Sequence, residues 1–259
     1  MALFTDGPVS SILDLAAWDS QLLNVASTEG IDVTRKMALA QDQLALELTV
    51  LLGQLTYVAQ VFWLAPQPDV GCVVVTPAIK LWHTFRSLEL VYADAYNNQL
   101  NDRYAGIRDQ FHEMAESAYE RVIQIGLGIV GCPVAQPATP SLAAALCPVG
   151  SLPLPDATYY VTMSWTNAQG QEGASAVPDA IATSAGTFLV EPGSPPPYAT
   201  GWNVYAGTSP GTMSLQNMAP LAPGQTWLQP GTLSTTGRAP GSGQTASYIQ
   251  PVPRMIERG

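Results

Sequence analysis

The strongest constraint on how this chain can fold is a change of composition near Cys132. Residues 1–132 carry 22 of the 30 charged residues and only four prolines, whereas residues 133–259 carry eight charges, eighteen prolines and fourteen glycines. Proline lacks a backbone donor and stops helices, so the second stretch cannot be helical while the first can. The expected chain is multidomain, α then β. A helical bundle of about four helices occupies 1–132, and 133–150 is a linker or first strand. An all-β immunoglobulin-like sandwich follows over 151–245, and a C-terminal arm over 246–259.

Apolar spacing places the helices. Ser10 or Ser11 caps a first helix through Leu13, Leu15, Trp18, Leu22, Leu23 and Val25, ending near Gly30. Asp32 caps the second, with an Asp32–Lys36 pair in its first turn and Met37, Ala40, Leu44, Leu48, Leu51 and Leu55 on one face. Pro66, Pro68 and Gly71 interrupt the pattern, and Val70 to Val75 reads as a short extended piece. Pro77 opens a third helix with Leu81, Phe85, Leu88, Tyr92 and Tyr96 inward. The fourth runs through Tyr104, Ile107, Phe111, Ala115, Ala118, Val122 and Ile125.

Beyond Cys132 the period changes to two. Tyr159, Val161, Met163 and Trp165 alternate with Tyr160, Thr162, Ser164 and Thr166, and Asn167 to Gly170 has turn chemistry. Ala180 to Val190, Trp202 to Ala206 and Thr212 to Gln216 are further strands, punctuated by PGSPPP, GTSPG and APGQ.

Several chemistries are excluded or left without support. A net charge of −10 and a pI near 4.4 oppose gripping nucleic acid, which needs clustered Lys and Arg. Cys72, Cys132 and Cys147 are widely spaced and read as reduced, mostly buried thiols. With only His83 and His112 besides, no metal or cofactor is expected. The start lacks a secretory pattern and no apolar run is long enough to span a bilayer, so a soluble chain without membrane contact is expected. No G-x-S-x-G occurs, and FHEMAE places Glu116 where a zincin helix needs its second histidine. The run GLGIVG, Gly126 to Gly131, has the spacing of a dinucleotide loop, but it follows a helix instead of a strand. Gly126 reads instead as the glycine that ends the fourth helix, and the run as a domain junction. No enzyme is expected.

Binding features remain. On the fourth helix Asp109/Glu113 and Glu116/Glu120 lie beside Arg103, Arg108 and Arg121, as a solvated face or as salt bridges between copies in a ring. Trp202 and Tyr205 are candidates for a sugar-stacking platform. The C-terminal SYIQPVPRMIERG offers Tyr248, Ile249, Met255 and Ile256 as apolar anchors with Arg254 and Arg258 between them. Two readings are open there: an arm that binds a partner, or a last sandwich strand (Ser247 to Gln250) with a free end.

Two segments of the first half, Asp14 to Leu48 and Trp82 to Phe111, resemble the head-to-tail adaptor (head completion) proteins of tailed bacteriophages. Leu152 to Ala176 and Gly201 to Asn217 resemble the immunoglobulin-like or fibronectin type III-like modules appended to virion proteins. The resemblance implies a structural protein of the virion neck, made in the host cytoplasm. It would form a homo-oligomeric ring, usually twelvefold, docked on the portal protein and offering a platform to tail or nozzle proteins. DNA would pass it without specific binding. The alternative is a tail or capsid decoration protein whose sandwich binds host surface glycans.

Overall fold

The computed structural model describes residues 1–61, 68–99, 102–147, 149–150 and 152–250, with side chains of 55–61 left out. Five helices lie in the first half and antiparallel sheets in the second: α then β, as expected. The chain forms two compact units: Gly7–Ile129 together with the segment from Ala246 onward, and Met1–Asp6 together with Val130–Thr245.

In the helical unit, the expected first helix is two, α1 (Ile12–Trp18) and α2 (Leu22–Glu29). Ser11, not Ser10, caps α1 in a reciprocal box with Asp14. The break is at Asp19, whose carboxylate takes the Gln21 N–H at 2.9 Å and the Tyr92 hydroxyl at 2.5 Å. A short acidic side chain there offers the backbone a local alternative to the helix. Gly30 ends α2 as expected, and does so in the left-handed conformation at φ +67°.

Helix α3 (Val33–Val61) buries Met37, Ala40, Leu44, Leu48 and Leu51, and the Asp32 carboxylate caps it by accepting the Arg35 N–H at 3.1 Å. Lys36 pairs with Asp94 at 2.7 Å instead of with Asp32. Leu55's side chain and Pro66 lie outside what is described. Val70–Cys72 is a 3₁₀ turn, not an extended piece, and only after it does Val73 bridge Ile129.

Helix α4 (Pro77–Gln99) is buried on more than the one face expected, because α1, α2, α3 and α5 (Asp102–Ile125) all pack on it. Ile79, Trp82 and Val91 are therefore core residues, while Leu81 and Tyr96 are only half-buried. On α5, Tyr104, Phe111, Ala115, Ala118 and Val122 face inward, with Tyr92 stacked on Phe111 at 5.8 Å.

After α5 the chain enters β1 (Leu127–Ile129), which pairs antiparallel with β9 (Ser247–Ile249), Ile129 opposite Ser247. Residues 130–245 are thus inserted between two paired strands of the helical unit. Ser247 to Gln250 is not a strand of the other sheets.

The inserted unit holds two sheets, with orders β2–β5–β8 and β4–β3–β6–β7. The strands are β2 (Ser141–Ala145), β3 (Ala157–Asn167), β4 (Asp179–Thr183), β5 (Thr187–Glu191), β6 (Ala199–Gly207), β7 (Ser214–Leu215) and β8 (Trp227–Leu228). The expected strand Ala180–Val190 is split between the sheets. The Asp156 carboxylate accepts the Ala185 N–H at 2.8 Å and holds that residue at φ +51° in the turn. Both sheets feed one core: Tyr159, Val161, Met163 and Trp165 from β3, Trp202, Val204 and Ala206 from β6, and Phe188 and Val190 from β5. The polar face of β3 is buried as well. Residues 172–176 run along it, where Thr162 donates to the Ala176 carbonyl and Gly173 N–H to the Trp165 carbonyl. Burial there is tolerated because each group found a partner.

Residues 1–6 belong to this unit, a placement nothing in the sequence pattern signals. The terminal ammonium donates to the Gln244 carbonyl at 3.2 Å, the Asp6 carboxylate accepts the Gln136 N–H at 2.7 Å, and Leu3 and Phe4 are buried.

Candidate interaction site

The glycine run sits at a chain junction. Gly126, at φ +97°, ends α5 with its N–H donated to the Val122 carbonyl at 2.9 Å. A β-carbon there would meet the Ile249 carbonyl carbon and oxygen at 2.9 Å, and one at Gly128 would meet Val74 Cγ2 at 2.8 Å. These glycines make room for β9 and the Val73–Val74 segment. A pyrophosphate loop would instead lead from a strand into a helix.

The charged candidates on α5 are all on its outer side. Asp109, Glu113, Glu116 and Glu120 are exposed. Arg108 bonds its neighbour Asp109 at 2.6 Å and lies over the Tyr96 ring at 5.1 Å, and Arg103 lies over the Tyr104 ring at 5.1 Å. Asp109, Glu113, Glu116 and Glu120 recur at helical spacing on the exposed side of α5. Of the arm candidates, Tyr248 and Ile249 lie in β9, both partly exposed, while Arg254, Met255, Ile256 and Arg258 lie outside the described residues. The arm's last described residue, Gln250, donates its side-chain amide to the Gln124 carbonyl at 2.6 Å.

His83 is fully buried. Its Nε2–H donates to the Met37 carbonyl at 3.0 Å, which leaves Nδ1 to accept the Ser10 hydroxyl at 2.7 Å. Burial lowers its pKa, opposed only in part by the Met37 bond, so the ring is neutral near pH 7. The pair ties the segment before α1 to α3 and α4. Seventy-three positions separate Ser10 from His83, and no local pattern announces the contact. His112 is exposed and reaches the Glu89 carboxylate at 3.1 Å.

In the inserted unit, Glu172 accepts hydroxyls from Ser164 and Tyr205 and pairs with Arg238 at 2.7 Å. Burial, then the bond to Glu172 and its charge, push the Tyr205 phenol well above its ordinary range. Trp202 and Tyr205 are both fully buried, Trp202 donating its indole N–H to the Ala222 carbonyl at 3.0 Å. They therefore cannot form the candidate stacking platform: they lie three apart on β6, so each faces a different side, and both sides are covered.

The surface that sequence reasoning missed is on α3. Leu39, Leu46 and Val50 are 43%, 71% and 58% exposed, spaced seven and four, on the side opposite the core row. The signal was present, since a second apolar row at helical spacing is legible once the first is assigned. A second outward group lies on α1 and α2, where Leu13, Trp18 and Leu23 are exposed. Among the described residues, no helix is long and apolar enough to cross a membrane, and no three His, Cys, Asp or Glu side chains are grouped to hold a metal ion. Neither protein-family models nor curated proteins match the chain.

Proposed function

We propose that this chain is a structural protein of a tailed-phage virion, an adaptor that assembles as a homo-oligomeric ring in the neck. There it would join the portal protein to tail or nozzle proteins around the DNA conduit. The observation that carries this reading is the two-faced helix α3. Its inner row fills the core, and its outer row, Leu39, Leu46 and Val50, is left for a partner. With Leu13, Trp18 and Leu23 as a second, different exposed group, the unit has the two unlike surfaces that a head-to-tail contact requires, and such contacts make rings where the rotation closes. The exposed acids of α5 fit a surface that does not hold DNA by phosphate contacts.

Strand order supports reading the inserted unit as an immunoglobulin-like or fibronectin type III-like sandwich. Taking β2 to β7 as strands B, C, C′, E, F and G reproduces the B–E and C′–C–F–G neighbours of that fold, with the buried Trp165 on strand C. Strand β8 then takes the outer edge beside E, and no first strand A is present among the described residues. Buried Trp202 and Tyr205 remove the residues on which the glycan-binding alternative stood.

The test is mass photometry and electron microscopy of the purified protein, alone and with portal rings. Rings are expected, and Leu46→Glu is expected to abolish them while the melting temperature is kept, because an unpaired charge is not tolerated in a buried contact. A wild-type protein that stays monomeric with portal present would overturn the proposal.

A further inference from the structure

Between α3, α4 and α5, at the edge of the helical core, lies a cleft of about 210 Å³. Leu44, Ala115, Trp82 and Tyr119 line it, the two rings packed on each other with centroids 5.0 Å apart and tilted by 52°. Two exposed carboxylates, Glu47 and Glu116, stand at its rim. The cleft's own cation is already engaged: Arg86 donates to Gln43 at 2.7 Å and holds both oxygens of Glu89 at 2.9 and 2.7 Å. Neither Glu47 nor Glu116 has an ion-pair partner among the described residues. Burial, then the charges of Glu47 and Glu116, raise the Tyr119 phenol above its ordinary value, so both carboxylates act on that ring.

The volume is below the roughly 300 Å³ at which cofactor-sized sites begin, so the occupant is a single side chain or a small ion. The half-buried Tyr119 ring, with unneutralised carboxylates at the rim, suits a flat cation that stacks on a ring and forks onto oxygen. A guanidinium does both, and an ammonium only one. We propose that this cleft binds the side chain of an arginine presented on a peptide segment.

The arginine has two sources, a partner protein or this chain. Gln250 is tied to Gln124 on α5. Tyr119 and Glu116 precede Gln124 by five and eight positions, about 7.5 and 12 Å along the helix. Arg254 follows Gln250 by four positions, a reach of about 13 Å when extended, so the chain's own arginine is within range.

The test is fluorescence anisotropy of a dye-labelled peptide QPVPRMIERG, residues 250–259, titrated into the full-length protein and into its Arg254→Gln variant. If a partner supplies the arginine, both proteins bind the peptide alike. If this chain supplies it, wild type binds at least tenfold more weakly than Arg254→Gln. In either case adding Glu47→Gln and Glu116→Gln to the Arg254→Gln protein should weaken binding at least tenfold, and replacing both arginines of the peptide by lysine should weaken it several-fold. Tyr119→Leu, which keeps the charges, should cost several-fold as well. No binding to either protein, or binding that neither the glutamine pair nor Tyr119→Leu weakens, would overturn the proposal. None of these readings depends on whether the chain assembles into rings.

Discussion

Replacing Gly126 by alanine carries two costs that add. The residue sits at φ +97°, and an L-residue in left-handed backbone costs about 1–2 kcal/mol. The added β-carbon also lands 2.9 Å from the Ile249 backbone and 3.1 Å from Gln250 N, closer than real contacts allow. Something must move, and β9 yields more cheaply than α5, because it is three exposed residues held by one ladder to β1. Each backbone bond released is worth about 0.5–1.5 kcal/mol net, so the two costs together come to roughly 2–4 kcal/mol. For a unit of this size the melting temperature should fall by about 5–15 °C. Circular dichroism at 222 nm follows the helices, and chymotryptic cleavage at Tyr248 follows release of β9, which should quicken at temperatures well below the melt. Gly131→Ala is the control. Its β-carbon meets nothing within 4 Å, and it should be silent although it is the last glycine of the same run. If Gly126→Ala melted within about 1 °C of wild type with unchanged cleavage, the account of the glycines as room for β9 would be wrong.

Gly53→Ala should stabilise the helical unit by about 0.5–1 kcal/mol, since the residue lies inside α3 with open space where the methyl would go; a chemical denaturation midpoint reads this. Leu48→Ala, at a fully buried core position, should cost about 2.7–5 kcal/mol, with a matching loss in urea titration. His83 has a lowered pKa in the folded state, so the unfolded chain binds its proton first. Stability from this group is therefore complete above the unfolded value near 6.5 and declines as pH falls below it. His83→Gln should flatten the dependence of stability between pH 7 and 5, measured by urea titration across that range.

Much of the fold was legible because it is local. The inner row of α3, the Asp32 cap, the left-handed Gly30 and the alternating β3 follow from side chains within one turn or two residues of each other. The same local reading failed where distant residues intervened. Asp19, where the first helix breaks, is held by the Tyr92 hydroxyl 73 positions away, and α4 is buried on several faces because four helices surround it. At the candidate sites the acids of α5 are exposed, while the outer row of α3 was overlooked. The aromatic cleft was out of reach, because Glu47, Trp82 and Tyr119 come from three helices.

The sequence by itself determined the division of the chain into a helical and a β-rich part, through where charge and proline fall. It also determined the helix faces, through the spacing of apolar residues. Only the tertiary structure decided that residues 1–6 join the β unit, that β9 returns to pair with β1, and that Ser10 meets His83. The reason is physical. The cost of closing a loop grows only with the logarithm of its length, so Ser247 can pair with Ile129 across the whole inserted unit at little more expense than across a short one. A contact that depends so weakly on separation leaves no mark in local sequence, and it becomes visible only when the surfaces that recognise each other are built.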